Sequence, residues 1–146
     1  MKTQNKNKMV EWYGADRMHE MSKTWLSDLN FIKDEQVFLE ELITDYTQLI
    51  IDDHVLARAQ DAATALLRTK RGSQKLITAL VAHENDLELM VDGKNELDKE
   101  EQYKADHLAF IKQVSSFFYD YKAVKSEIFN LVKTLMKRDK QDHLLN

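Results

Sequence analysis

The chain contains no proline and no cysteine, and only three of its 146 residues are glycine. Proline and glycine are the residues that most often interrupt helices and mark turns. Few positions can therefore stop a helix once it has begun. The lack of cysteine excludes disulfide bonds and zinc sites with thiolate ligands. The composition favours a fold made of a few long helices.

Long apolar runs and a strong excess of one charge are also missing. No window approaches the roughly 18 apolar residues of a membrane span, and the N-terminal lysines are not followed by the apolar segment of a secretory signal. The formal net charge is −4, with 43% apolar and 32% charged residues. These features predict a cytoplasmic protein without membrane contact, and they argue against a general polyanion binder.

Apolar residues recur at heptad spacing in three stretches, and each stretch predicts a long helix. The first carries its a column at Met18, Trp25, Ile32, Leu39 and Tyr46. Its apolar face is widened on one side by Leu29, Ile43 and Ile50 and on the other by Phe31 and Phe38. The second keeps one phase from Leu56 to Val91, so Gly72 is expected inside a helix, where it costs about 1 kcal/mol. The third includes Ile111, Val114, Phe118, Tyr121, Ile128, Val132 and Leu135, and a parallel column is added by Tyr103, Phe110, Phe117, Val124 and Leu131.

Two short turns separate these stretches. Asp52 and Asp53 end the first, and Asp53 is expected to cap the second helix. Residues 92–95 form the clearest turn, in which Gly93 suits a left-handed position after a helix and Asn95 suits a cap of the next one. Helices joined by short turns pack as antiparallel neighbours.

The sequence therefore predicts an all-α fold, an elongated antiparallel three-helix bundle with up-down-up order and coiled-coil-like packing. The bundle is expected to be a single domain over residues 16–146, and a flexible or loosely docked segment is expected at residues 1–15.

Several polar residues occupy predicted inward positions of the heptads. They are Asp28, Glu35, Lys70, Ser73, Glu84, His107 and Lys125. The turn at residues 52–53 opposes Glu35 and Lys70, so we predict a partly buried Glu35–Lys70 pair that sets the register of the helices. Such a pair adds little net stability because desolvation offsets the attraction.

A second group of polar residues supports a metal-site hypothesis. The predicted register brings His83, Glu84 and His107 close together, with Asp28 one turn away on the first helix. Histidines and carboxylates that face one another inside a helical bundle can bind a divalent cation. Neither a Glu-x-x-His nor a His-x-x-x-His pair reinforces this reading, and His19 is expected to point outward. Hydrogen-bonded structural histidines are the alternative.

Other functional signals are weak. The basic patch at Arg68, Lys70, Arg71 and Lys75 offers contacts for nucleic acid, but a charged helix face is usually just solvated, so nucleic acid is not expected as a partner. The chain has no glycine-rich phosphate loop and no catalytic triad at a telling spacing. No cofactor is predicted, and an enzyme is disfavoured.

Two segments carry a family resemblance. Residues 25–35, WLSDLNFIKDE, and residues 124–133, VKSEIFNLVK, resemble segments of a group of small uncharacterised all-helical proteins from Bacteroidota. The resemblance implies a bacterial, all-helical protein and carries no activity or site residue with it.

We therefore predict a non-enzymatic helical protein that acts in protein interaction, as a scaffold or in regulation, through a protein partner or self-association. The alternative is a divalent-metal-binding bundle that uses His83, Glu84, His107 and Asp28.

Overall fold

The computed structural model describes residues 14–92 and 97–145. Its four helices are α1 (Ala15–Asp45), α2 (Thr47–Asp52), α3 (Leu56–Asp92) and α4 (Leu97–Leu145). The all-α prediction is confirmed for this part of the chain. Within the same residues, none of the helices combines the length and apolar character needed to cross a membrane. The predictions for Gly93 and Asn95, and for most of the segment 1–15, lie outside the described residues.

The described chain divides into two compact units. Unit 1 contains the described residues up to 30 together with those of 74–116. Unit 2 contains residues 31–73 and the described residues from 117 onward. α1, α3 and α4 each contribute a segment to both units. The single domain over 16–146 stays a prediction.

Two apolar clusters hold unit 2 together, and between them they contain residues of all four helices. The first consists of Ile32, Leu39, Ala62, Leu66, Tyr121, Val124 and Ile128. The second consists of Ile50, Ala59, Leu131 and Leu135. Burial of each large aliphatic side chain stabilises the fold by about 1.5–3 kcal/mol. α1 and α3 run antiparallel here, since Gln36 contacts Ser73 and Glu40 contacts Lys70.

Unit 1 has a smaller apolar cluster, made of Met18, Leu87 and Tyr103 with Ala15 packed against it. His83 contacts His107 in the same unit, and Leu87, one turn later on α3, shares the cluster with Tyr103, one turn earlier on α4. α3 therefore runs along α4 in the opposite direction. Aromatic and histidine rings provide much of the remaining interior of this unit.

In α1, one predicted inward column is buried and its partner column is displaced by one residue. Ile32 and Leu39 are buried as the heptad predicts. Beside them, the buried column is Ser22, Leu29 and Gln36, continued by Ile50 of α2, each one residue after the predicted position. Asp28 is exposed and Glu35 is only partly buried. The prediction that Asp28 and Glu35 point inward is thereby corrected.

A displacement by one residue in the opposite direction occurs in α3, where the buried column precedes the predicted one. Leu66, Ser73, Leu80 and Leu87 are buried as predicted, but the column beside them is Ala62, Thr69, Leu76 and His83. Lys70 and Glu84 are the residues that follow this column, and both lie at the edge of the helix interface with intermediate exposure. Each helix is therefore rotated so that an uncharged residue replaces its charged neighbour in the interior.

The division between α1 and α2 falls at Tyr46, where the sequence predicts a single helix. Helical hydrogen bonds continue on both sides, from Tyr46 N–H to the Leu42 carbonyl and from Ile50 N–H to the Tyr46 carbonyl. The Thr47 hydroxyl donates to the Thr44 carbonyl at 2.7 Å. Threonine hydroxyls that bond to carbonyls of the preceding turn often bend helices, and this bond lies at the irregularity.

α2 ends in a Schellman motif centred on His54, whose φ is 57°. The His54 N–H donates to the Ile51 carbonyl and the Val55 N–H donates to the Ile50 carbonyl, both at 3.2 Å. This bonding pattern defines the motif, and Val55 packs against the cluster that contains Ile50. Asp53 is consequently the C-cap of α2, which corrects the prediction that it caps the next helix.

α3 passes through Gly72 without interruption, as the unbroken heptad phase predicts. A Cβ atom at this position would lie 3.5 Å from the ring of Phe117, which is an ordinary van der Waals distance. The backbone here is helical, so the glycine is not required by conformation.

We expect Gly72→Ala to raise the free energy of unfolding by about 1 kcal/mol, because alanine loses less backbone entropy in a helix and its methyl group fits against Phe117. Urea denaturation measures the change. Ala79→Gly, at an exposed position of the same helix, is the matched control and should lower stability by a similar amount. A destabilised Gly72→Ala protein would contradict the packing described here.

We expect His54→Gly to stabilise the protein by about 1 kcal/mol, because a left-handed residue with a Cβ atom carries a steric cost that glycine avoids. Thermal and urea unfolding both report this effect. His54→Ala keeps the Cβ atom and should give no comparable gain. Equal gains from the two substitutions would argue against a left-handed conformation at residue 54.

Candidate functional site

Five ring side chains meet inside unit 1 and bring α1, α3 and α4 together. His83 lies flat on Tyr103, with ring centroids 4.0 Å apart and 2° between the planes. His107 lies 5.5 Å from His83 and 5.1 Å from Trp25, again in stacked geometry. Phe110 tilts against His83 at 4.9 Å. We refer to these five residues as the ring cluster.

The two histidines of the ring cluster share a hydrogen bond of 3.3 Å between His83 Nε2 and His107 Nδ1. One nitrogen donates its N–H and the other accepts the hydrogen bond, which two neutral imidazoles can do. The side chains are 3% and 1% exposed, respectively. Burial lowers the pKa of His83, although Asp106, Glu84 and Asp86 act in the opposite direction. Burial, aided by the charge of His83, lowers the pKa of His107 to about 4.

Three buried oxygens lie on the elements that build the ring cluster. The Tyr103 hydroxyl, Ser22 Oγ and Glu84 Oε1 find no hydrogen-bond partner among the described residues. Burial raises the pKa of Tyr103, and the negative charges of Glu84 and Asp86 raise it further, so the hydroxyl stays protonated. The arrangement is one of neutral, packed rings.

The four residues of the metal hypothesis are not gathered at one point. His83 and His107 meet in the ring cluster, but Glu84 Oε2 lies 2.5 Å from His19 Nδ1 and Asp28 is exposed. No group of three or more histidine, aspartate or glutamate side chains in residues 14–92 and 97–145 is placed to hold a metal ion. His19, expected to point outward, is half-exposed and reaches Glu84 because residue 84 lies at the edge of the interface.

A hydrogen-bonded layer crosses the interior of unit 2. Gln36 Nε2 donates to Thr69 Oγ1, and Ser73 Oγ donates to Gln36 Oε1, both at 3.3 Å. Thr69 Oγ1 also donates to the Leu66 carbonyl, and the single hydroxyl proton of Ser73 is shared between Gln36 Oε1 and the Lys70 carbonyl. All three residues are buried. Gln36 and Thr69 occupy the interior positions that the sequence predicts for their charged neighbours.

The predicted Glu35–Lys70 pair is replaced by two separate ion pairs. Glu35 Oε1 accepts a hydrogen bond of 2.6 Å from the Tyr121 hydroxyl and lies 3.1 Å from Lys125 Nζ. Lys70 Nζ lies 2.7 Å from Glu40 Oε1. The reason is the one-residue displacement, which moves positions 35 and 70 to the flanks of their helices, where each side chain pairs with the nearest opposite charge.

An exposed apolar stripe follows the boundary between α1 and α4 in unit 2. Phe31 and Phe38 lie one turn before and one turn after Glu35, which contacts α4. Phe129 lies one turn after Lys125, which contacts α1, and Met136 follows two turns later. Residues three, four or seven apart share one face of a helix, so all four side chains border the same groove. Their exposed fractions are 66% for Phe31, 52% for Phe38, 40% for Phe129 and 51% for Met136.

The two sides of this stripe carry opposite charge. On α1 the exposed residues beside the phenylalanines are Asp34, Glu41 and Asp45, and on α4 the exposed residues beside Phe129 and Met136 are Lys122, Lys133 and Lys140. The C-terminal end of the stripe opens into a surface groove. That groove is lined by Tyr46, Lys133, Met136, Lys137, Asp139 and Lys140.

Sequence reasoning missed both the buried Gln36 and the stripe, because Phe31 and Phe38 read as a widening of the apolar face of the first helix. One signal was available. Two carboxylates, Asp28 and Glu35, fall in the predicted inward column, and buried unpaired charges are costly. Moving the inward column by one residue takes both carboxylates out of the interior.

The chain matches no protein-family model, no curated protein and no solved structure. The likeness of residues 25–35 and 124–133 to a Bacteroidota group stays a prediction. The geometry of the described residues is therefore the basis for a functional proposal.

We expect the stability of the protein to fall as pH is lowered from about 6.5 to about 4. Unfolded histidine binds a proton near pH 6.5, whereas the pKa of His107 in the folded protein is about 4. The contribution of His107 to the free energy of unfolding is therefore fully present above about pH 6.5, and up to about 3 kcal/mol is lost as the pH falls to about 4. Urea denaturation at a series of pH values measures the slope.

His107→Phe keeps a stacking ring without a titrating nitrogen, and it should flatten the slope between about pH 6.5 and pH 5. His143→Phe, at a position that is 79% exposed, is the matched control and should leave the slope unchanged. Identical slopes in all three proteins would show that His107 is not a buried neutral histidine.

Proposed function

We propose that this protein is a non-enzymatic helical interaction protein, and that the exposed stripe of Phe31, Phe38, Phe129 and Met136 is its binding surface. The observation that carries the proposal is the stripe itself. Single exposed apolar residues are common on protein surfaces, but these four border one groove and include three phenylalanines.

The size of the stripe supports a binding role. An aromatic side chain presents about 200 Å², so the exposed fractions above correspond to on the order of 400 Å² of apolar surface. An area of this order is that of the largest apolar patch on a typical monomer, and such a patch is often functional. Phenylalanine and methionine are also enriched in protein interfaces.

The surroundings of the stripe are those of a rigid platform. Phe118 packs against the apolar cluster below the groove, and the Tyr121–Glu35–Lys125 contacts tie α1 to α4 between the exposed rings. A preorganised surface of this kind limits the ordering cost of binding. We propose accordingly that α1, α3 and α4 act as an up-down-up three-helix scaffold that presents the stripe.

No specific observation favours the other functions considered. Glu84 is engaged by His19, and Asp28 is exposed, so nothing supports the metal-binding alternative. Arg68, Arg71 and Lys75 are exposed on α3, which is typical of a solvated helix face. The cytoplasmic location stays a prediction.

Site-specific photo-crosslinking in the native cell tests the proposal. The photoreactive amino acid benzoylphenylalanine replaces Phe38 or Phe129, and we expect one discrete adduct shared by both positions, identified by mass spectrometry. Leu67 on α3 is 45% exposed and lies off the stripe, so benzoylphenylalanine at that position is the matched control and should not give this adduct.

Phe31→Ser, combined with benzoylphenylalanine at Phe129, should suppress the shared adduct because it removes an apolar contact without touching the crosslinking position. Adducts that are absent from the stripe, or equal in yield at residue 67, would overturn the proposed function.

A further inference from the structure

We infer that the partner on the stripe is a second copy of this chain, packed in parallel about a twofold axis that runs along α1 and α4. This inference rests on the proposed function and specifies its partner. The stripe and its flanking charges all belong to unit 2.

The charges beside the stripe are available to a partner. Asp34, Asp45, Lys122 and Lys133 are exposed, and none of them forms an ion pair within 4.0 Å among the described residues. Glu35 and Lys125, in the same groove, are engaged with each other. A row of unpaired acids on one side and unpaired lysines on the other gives the surface a polarity that any partner must match.

The acidic and basic rows are also level with each other. Glu35 contacts both Tyr121 and Lys125, so residue 35 of α1 lies at the height of residues 121–125 of α4. Both helices rise about 1.5 Å per residue. Applied along the stripe in the parallel direction, the same offset places Asp34 level with Lys122 and Asp45 level with Lys133.

A twofold interface pairs a surface with itself, so the charge pattern decides which axis is allowed. A twofold axis parallel to the helices places α1 of one copy opposite α4 of the other and leaves each residue at the same level along the axis. It therefore brings Asp34 of one copy against Lys122 of the other, and Asp45 against Lys133, with each pair formed twice. A twofold axis perpendicular to the helices would instead place α1 opposite α1 and α4 opposite α4. Acid would then face acid, and lysine would face lysine.

The same operation closes the apolar surface. The helix α1 of one copy lies across from α4 of the other. By the same offset Phe38 lies three residues, about 4.5 Å, from the level of Phe129, so these two rings meet at the centre, and Phe31 and Met136 lie toward opposite ends of the interface. About 400 Å² of apolar side chain is small compared with the roughly 800 Å² that each partner buries in a standard interface. We therefore expect a dimer whose dissociation depends on concentration and rises with salt.

Charge swapping tests the arrangement with the purified full chain. The basic variant carries Asp34→Lys and Asp45→Lys, and the acidic variant carries Lys122→Glu and Lys133→Glu. In sedimentation equilibrium, each variant alone should dissociate at least about tenfold more readily than the parent, because every substitution acts twice in the dimer. An equimolar mixture should restore a dimer that contains one copy of each.

A matched control carries Glu88→Lys and Glu101→Lys, exposed residues of unit 1, and should dimerise like the parent. Circular dichroism verifies that every variant is folded. Phe38→Ser should also weaken the dimer without changing the preference for the mixed pair.

Two results would overturn the inference. One is a parent protein that is monomeric at every concentration, and the other is a mixture of the two variants that forms no mixed dimer. These outcomes leave the proposed function standing if crosslinking from residues 38 and 129 still identifies one specific other protein. Loss of both the dimer and the crosslink would contradict both the dimer inference and the proposed function.

Discussion

The free-energy cost of burying a charged side chain determines which faces of α1 and α3 point into the interior. The polar side chains that lie in the interior are Ser22, Gln36, Thr69, Ser73, His83 and His107, and all are uncharged in the folded state. The charged residues Glu35, Lys70 and Glu84 lie beside them with intermediate exposure. A buried carboxylate or ammonium without full compensation costs several kcal/mol, which exceeds the gain from any single apolar contact.

This rotation has a direct consequence for function. Because Gln36 and Leu39 of α1 face the interior, Phe31 and Phe38 lie at the rim of the groove with α4. Similarly, Ile128 and Leu135 of α4 are buried, so Phe129 and Met136, each one residue later, lie at that rim. The exposed stripe therefore arises from the same rule that keeps Glu35 and Lys125 at the flank, where they join the two helices beneath it.

The candidate sites show where sequence reasoning works and where it stops. The register predicts that His83 and His107 are neighbours, and they share a hydrogen bond, because the helix register follows from the turn positions. The positions of Glu84 and Asp28 could not be predicted in the same way, because a shift of one residue moves a side chain by about 100° around a helix. Both of the candidate inward columns in α1 contain aliphatic residues, so hydrophobic pattern alone does not choose between them.

The sequence by itself determined the helical class, the uninterrupted course of α3 through Gly72 and the register that opposes residues 35–36 to residues 69–70. These follow from local rules: few residues break a helix, and an unbroken heptad phase leaves no room for a turn. Only the tertiary structure decided which column each helix turns inward, which charges pair and which phenylalanines stay exposed. Those choices depend on the desolvation cost of each side chain, which arises only when three helices pack together and exclude water. The local sequence pattern does not reveal this cost.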